Sequence, residues 1–315
     1  MNSKFYGIFD ASMQFQTENI PIQEIKLDFT TDVRLFIKRE DLIHSFVSGN
    51  KFRKLKYNLA EANKENQDTL LTFGGAFSNH IAAVAAAGKL YGFKTIGIIR
   101  GEELVAKIDS NSTLKFAQEN GMQFKFVTRQ EYREKTTSEF LAQLTREFGR
   151  FYTIPEGGTN DLAVKGCAEI ITENERDFDT ICCAVGTGGT IAGISHGAFS
   201  HQQILGFPAL KGDFLQQEIS QFTTKDNWKL INNYHFGGYG KVTDELIQFI
   251  NNFKQQTQIP LDPIYTGKML FGIIDLIKKG HFEKQNRILA IHSGGLQGIE
   301  GMNQKLRRKG QITIV

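Results

Sequence analysis

Short runs of β-branched and other apolar residues alternate along the chain with longer stretches in which apolar positions recur every three to four residues. That alternation predicts an α/β protein with mostly parallel strands. Strands are predicted at Arg34 to Lys38, Thr69 to Phe73, Thr95 to Ile99, Gln123 to Val127, Phe151 to Ile154, Thr180 to Val185, Gln203 to Phe207 and Ile288 to Ile291. Several are continuous apolar runs, suited to burial on both faces. Helices are predicted at Phe52 to Asn63, Ser78 to Tyr91, Ser110 to Asn120, Ser138 to Phe148, Asp161 to Glu173, Thr190 to Phe199, Asp244 to Gln255 and Lys268 to Lys278. Glycines such as Gly121 and Gly280 stand where a helix should stop. No repeat and no low-complexity linker interrupts the pattern.

Composition narrows the partners. The chain has 315 residues, 40% hydrophobic and 23% charged, which is the balance of a folded globular protein of one large or two ordinary domains. Net charge is only +3, with both signs interleaved, so neither a nucleic-acid nor an anionic-membrane partner is implied. The cluster Lys305, Arg307, Arg308 and Lys309 reads as a solvated surface segment. Met1 to Phe15 shows no secretory signal or anchor, and no apolar run approaches the ~18 residues a membrane span needs. A cytoplasmic protein acting on a small molecule is the expectation. Cys167, Cys182 and Cys183 lack C-x-x-C spacing and read as reduced, buried thiols. The seven histidines are scattered, so no metal site is expected.

Glycine and small polar residues gather where predicted strands hand over to helices, the usual ligand-binding places of α/β proteins. Val185-Gly186-Thr187-Gly188-Gly189-Thr190 follows one strand and opens a helix. Inward-turning N–H groups, a helix start with its positive dipole end and two hydroxyls make an anion cradle that a phosphate fits; a tight turn is the alternative. The dinucleotide pattern G-x-G-x-x-G fails because Ile191 holds the third glycine position, and no lysine follows as in a triphosphate loop.

In Ser48-Gly49-Asn50-Lys51-Phe52-Arg53-Lys54 a lysine sits near a helix start, the unfavourable end for a cation. Lys51 is either solvated or present for its amine, which enclosure would leave neutral and able to attack an aldehyde. Gly74-Gly75-Ala76-Phe77-Ser78-Asn79-His80 repeats the strand, glycine turn, helix order. Ser78 and Asn79 suit a carboxylate ligand or simple capping, and His80 is either a second-sphere acid or a helix-surface histidine. Late in the chain Asp262-Pro263-Ile264-Tyr265-Thr266-Gly267-Lys268 turns into a helix, and His292-Ser293-Gly294-Gly295 ends a strand. Tyr239 lies within Gly237-Gly238-Tyr239-Gly240. Two phenols in such loops suit proton transfer, with packing the alternative. Neither a G-x-S-x-G elbow nor an H-E-x-x-H helix is present.

Taken in order, the lysine after Gly-Asn, the Ser-Asn helix start, the Gly-Thr loop and the late Ser-Gly-Gly resemble the tryptophan-synthase-β-like enzymes, fold type II, that use pyridoxal 5'-phosphate. The likeness runs nearly end to end. Around Lys51, Ser78-Asn79, Asp262-Pro263-Ile264-Tyr265 and His292-Ser293-Gly294-Gly295 the chain looks like the 1-aminocyclopropane-1-carboxylate deaminase and D-cysteine desulfhydrase family. The resemblance implies that Lys51 holds the cofactor through its amine and, once displaced, moves the substrate's Cα proton. It implies that Gly186, Thr187, Gly188, Gly189 and Thr190 hold the phosphate with help from Lys54, and that Asn79 reaches the cofactor's phenolic oxygen. Ser78, with Asn79 and His80 beside it, would hold the substrate carboxylate, and Tyr239 and Tyr265 would flank the substrate side chain. Ser293 would face the pyridine nitrogen, where a neutral hydroxyl favours elimination over transamination.

The resemblance has departures. The deaminase branch carries a glutamate after the tyrosine, where this chain has Thr266, and His80 matches the desulfhydrase branch. Ala76-Phe77 and Ala82-Ala83 replace the Ile-Gln and Arg-Gln common to both branches, so the pocket is altered. The implied fold is two open, mostly parallel α/β domains with the cofactor between them: a larger one of residues 1–51 and 156–315 and a smaller inserted one of residues 52–155. The implied activity is a lyase or deaminase acting on a small amino acid in a homodimer. D-cysteine desulfhydration comes first, ring opening of 1-aminocyclopropane-1-carboxylate second, and non-catalytic binding of the cofactor or another phosphometabolite third.

Overall fold

The computed structural model describes residues 19–315, so the expectation for Met1 to Phe15 lies outside the described residues. Among the described residues ten strands form two sheets. The larger has the order β1-β2-β10-β7-β8-β9, from Ile22–Ile25, Arg34–Lys38, Arg287–Ile291, Thr180–Val185, Gln203–Pro208 and Trp228–Leu230. The smaller has the order β5-β4-β3-β6, from Met122–Val127, Lys94–Arg100, Thr69–Gly74 and Tyr152–Ile154. Only β1 runs antiparallel to its neighbour. The mostly parallel α/β architecture expected from the sequence is present in both sheets.

Continuous apolar strands are buried on both faces, and their period of two divides the core. In β7 the side chains of Ile181, Cys183 and Val185 join one cluster while Cys182 and Ala184 join the other. Leu289 and Ile291 of β10 share the first cluster, and Ile288 and Ala290 the second. The smaller sheet repeats this, with Leu71 and Phe73 of β3 on one side and Leu70 on the other. Cys167, Cys182 and Cys183 are all buried and unpaired.

Ten α-helices are described: α1 Asn50–Lys64, α2 Asn79–Tyr91, α3 Ser112–Glu119, α4 Ser138–Phe148, α5 Asp161–Ala168, α6 Gly189–Gly197, α7 Phe214–Ser220, α8 Asp244–Thr257, α9 Thr266–Lys278 and α10 Gly298–Arg308. The helix expected from Asp161 to Glu173 therefore stops five residues early. Its would-be continuation is taken apart by a buried cation: Lys38 Nζ donates to the Ile170 carbonyl (2.6 Å) and to Glu175 (2.8 Å), and Thr172 caps a separate short turn. The basic cluster Lys305, Arg307, Arg308 and Lys309 is solvent-exposed, as expected, and forms the outer face of the last turn of α10 and its cap. Met302 and Leu306 are buried there, and Lys305 donates to the Gly240 carbonyl at 3.0 Å. Among the described residues no helix is long and apolar enough to cross a membrane.

The C-terminal turns of three parallel strands of the larger sheet and of β3 of the smaller sheet face one cleft. β2 leads to Lys51, β3 to Ser78, β7 to the glycine-threonine loop and β10 to Ser293.

Candidate active site

These turns line one cleft of about 1030 Å³. Lys51 lies in the first turn of α1, entered through Gly49 with φ +56°. A Cβ at Gly49 would stand 2.1 Å from the Ser293 carbonyl oxygen, and one at Gly294 (φ +81°) would stand 2.4 Å from Ser48 Oγ. The turns carrying Lys51 and Ser293 thus interlock backbone to backbone, which only glycine permits. The Lys51 amine has one weak acceptor, Asn50 Oδ1 at 3.4 Å. Burial and then the nearby Lys54 charge bring its pKa down to about 7. Asn50 reaches the opposite way and donates to Thr190 Oγ1 at 2.9 Å, joining the lysine turn to the glycine-threonine loop.

That loop enters α6 through Gly188 at φ +83°. The first N–H groups of α6 have no intrahelical acceptors and open on the cleft with the positive end of the helix dipole. A Cβ at Gly189 would lie 2.8 Å from Thr159, so the cradle has room for a ligand but not for side chains. Lys54 closes it: its Nζ donates to the Gly157 carbonyl (3.1 Å), Thr159 Oγ1 (2.9 Å) and Thr187 Oγ1 (3.4 Å). Thr159 and the Gly157-Gly158 pair went unnoticed in the sequence, although two glycines directly before a helix were a signal.

Across the cleft, Ser78 is the N-cap of α2 and accepts from Ile81 N–H at 3.3 Å. Asn79 is 9% exposed, and its Oδ1 is buried without a hydrogen-bond partner. His80 is buried, 2% exposed, rather than on the helix surface. Thr72 Oγ1 donates to the Ile154 carbonyl and pairs with His80 Nε2 at 2.8 Å. Burial, with the charges of Lys51 and Lys54, holds this imidazole neutral, its pKa well below the usual value. His80 therefore has no proton to give as an acid near neutral pH.

The tyrosines meet on the third side, ring centroids 6.2 Å apart. Burial raises both phenols, and each acts on the other: Tyr265 pulls Tyr239 back down while Tyr239 pushes Tyr265 further up. Tyr265 is aimed by Asp262, whose carboxylate, 1% exposed, accepts from the N–H groups of Ile264 (2.9 Å), Tyr265 (3.0 Å) and Thr266 (2.7 Å) and from Thr266 Oγ1 (2.9 Å). Tyr239 is aimed by Lys268, which donates to the carbonyls of His235 (2.8 Å) and Gly238 (2.9 Å) from inside α9. Beneath Ser293, His292 Nε2–H donates to the Pro260 carbonyl at 2.7 Å and its Nδ1 accepts from Gly294 N–H at 3.3 Å.

An enclosed amine of low pKa, an anion cradle and an orphaned amide oxygen in one cleft fit an aldehyde that also carries a phosphate. Comparison with known proteins decides the family: the profile described as "Pyridoxal-phosphate dependent enzyme" matches residues 14–294. A Rhizobium rhizogenes protein named 1-aminocyclopropane-1-carboxylate deaminase is 30% identical over 304 residues, 85% of this chain and 89% of its own. The chain belongs to the pyridoxal-phosphate-dependent enzymes. An Arabidopsis thaliana mitochondrial protein, named as a bifunctional D-cysteine desulfhydrase and 1-aminocyclopropane-1-carboxylate deaminase, is 34% identical over 295 residues, 84% of this chain and 73% of its own. This pair places the chain in the deaminase and desulfhydrase branch of the family. The crystal structure of an ACC deaminase homologue superposes with a TM-score of 0.78 at 29% identity, covering 98% of this chain and 99% of that one.

Proposed function

We propose that this chain binds pyridoxal 5'-phosphate through Lys51 and catalyses β-elimination from a small amino acid, with D-cysteine the first candidate. When bound, the cofactor withdraws electrons from the substrate's Cα and so acidifies its proton. The Gly186 to Thr190 loop and Lys54 receive the phosphate, and Asn79, whose Oδ1 lacks a partner, faces the ring. Ser78 and the first N–H groups of α2 take the substrate carboxylate. Lys51 Nζ takes the Cα proton. Tyr239 Oη donates to the departing sulfur as the Cβ–S bond breaks and the electron pair leaves with it, while Tyr265, packed edge-on against it, holds Tyr239 in place. The enamine released to water takes up one water and yields 2-oxoacid and ammonia.

The observation that carries the choice of elimination over ring opening is Thr266. Its hydroxyl donates to Asp262, it is fully buried, and it does not line the cleft. The position at which the deaminase branch carries a glutamate therefore presents no acid or base to substrate. Ring opening keeps support from the names of the relatives, and one experiment separates the two. With D-cysteine, the visible band of the loaded protein should change and sulfide should be released, while L-cysteine and 1-aminocyclopropane-1-carboxylate should give slower or no product. Release of 2-oxobutanoate from the cyclopropane acid at a higher rate than sulfide from D-cysteine would reverse the assignment.

Cofactor uptake has a pH signature. With the Lys51 pKa lowered to about 7, the reactive neutral amine is half populated near that pH, whereas an exposed lysine needs about pH 10.4. The rate at which cofactor-free protein captures pyridoxal phosphate should rise as pH increases through about 7 and level off above it. A rate still climbing steeply beyond pH 9 would place the reacting amine elsewhere.

A further inference from the structure

The small-sheet wall of the cleft carries more positive charge than the cofactor can use. Arg100 ends β4, and Arg129, Arg133 and Lys135 follow β5; all four line the cleft. Two are engaged, Arg129 with Glu103 at 3.7 Å and Lys135 with Glu156 at 3.4 Å. Arg100 and Arg133 have no carboxylate partner among the described residues. The remaining cleft carboxylate, Glu218, belongs to α7, whose Ile219 abuts Gly188 on the cradle side.

Arg100 is also well placed. A Cβ at Gly75, in the turn leading to Ser78, would lie 3.7 Å from Arg100 Nη2. The guanidinium carbon stands 5.5 Å from the Tyr132 ring centroid, which steadies the side chain. Its charge acts on Tyr239 across the cleft. The fork thus stands beside the turn that takes the α-carboxylate, on the wall of the same cleft that Tyr239 lines. Gly75 lacks the side chain that would otherwise screen it.

We infer that Arg100, backed by Arg133, makes amino acids whose side chain ends in a second anionic group bind more tightly than their uncharged counterparts of similar shape. This rests on the reading that amino acids bind beside Lys51, and it goes beyond that reading by naming their charge class. A planar guanidinium without a carboxylate of its own, exposed on the wall of the cleft, binds a carboxylate or phosphate ester through two parallel N–H donors.

The test uses the full-length protein loaded with pyridoxal phosphate and reads binding from the shift of its visible band, independently of turnover. The probes are aspartate against asparagine and O-phosphoserine against serine, each in both enantiomers. One pair reports a carboxylate-sized anion and the other a phosphate-sized one. The anionic member of at least one pair should bind roughly ten-fold more tightly, a difference that shrinks between 0.05 and 0.5 M salt. Arg100→Gln should bring that ratio to within about two-fold, and Arg100→Lys should keep part of it because the charge stays while the fork is lost. The neutral probe's affinity in each variant reports whether the pocket is intact. Equal binding within both pairs in the native protein, or a ratio untouched by Arg100→Gln, overturns the inference. Should Arg100→Gln fail to fold, the native ratios and their salt dependence decide alone. A protein that turns over D-cysteine yet ignores the second charge loses this inference only, and one that takes up no cofactor loses both.

Discussion

Replacing Lys51 by alanine is expected to remove the visible band of bound cofactor and to lower turnover by roughly 10³-fold or more, because one side chain supplies both the covalent anchor and the proton acceptor. Two lysines of the cleft, Lys51 and Lys54, compete for that role, and their surroundings separate them. Lys54 Nζ sits among three oxygen acceptors, the geometry of a retained ammonium that complements a phosphate. Lys51 has only the 3.4 Å contact to Asn50, and its pKa falls to about 7. A neutral, weakly held amine is the nucleophile and a well-held ammonium is not. Lys54→Met should therefore weaken retention of the phosphate yet leave the capacity to form the band at high cofactor concentration. Lys51→Ala should not form it at any concentration. Partial return of sulfide release on adding methylamine would mark the loss as that of an amine rather than of the fold. Unaided turnover of Lys51→Ala within ten-fold of the native rate would exclude the assigned role.

Much of the scaffold was legible because burial and periodicity coincide. The strand expected at Thr180 to Val185 is observed residue for residue, since a six-residue apolar run bounded by polar residues has few alternatives. The edge strands of the larger sheet left no such trace: β1 has two exposed residues in four, and β9 is three residues long. Helix α10 was masked by its cations, although Met302 and Leu306 lie four apart, and its Asn303 clasps the Ile314 backbone through two bonds of 2.8 Å. At the site, glycine-rich turns announced Lys51, Ser78, Gly186 and Ser293. Residues whose partners lie far away in sequence did not announce themselves. Lys268 reads as an ordinary helix lysine until the fold sets the His235 and Gly238 carbonyls against it, some 30 residues upstream. Arg100 reads as a strand end until the cleft forms around it.

Asp262 is where stability and activity should fall together. Its buried carboxylate gathers three N–H groups and one hydroxyl from the four residues after it, and the Asp262 carbonyl also accepts from Gly267 N–H at 2.8 Å, so the whole entry to α9 is wound round this side chain. Asparagine has nearly the same shape but only one acceptor oxygen, and its amide turns two donors toward N–H groups that are donors themselves. At least one buried N–H is left unsatisfied, at about 1–3 kcal/mol, and two when the amide nitrogen faces Ile264 and Tyr265. Asp262→Asn should therefore lower the melting temperature by several degrees, read by thermal unfolding of the loaded protein. Activity should suffer more than stability suggests. The strained N–H groups belong to Ile264, Tyr265 and Thr266, so relief of the strain moves the phenol that holds Tyr239, and a displacement of about 1 Å at a reacting group costs on the order of 10²-fold. Cofactor capture depends on Lys51 and the cradle, on other turns, and should persist in the folded fraction. The expected variant is thus one that keeps its visible band while sulfide release drops by about 10²-fold. Native melting temperature with native turnover would show that the carboxylate is dispensable; loss of the band with a normal melting temperature would show that Asp262 serves the cofactor rather than the tyrosines.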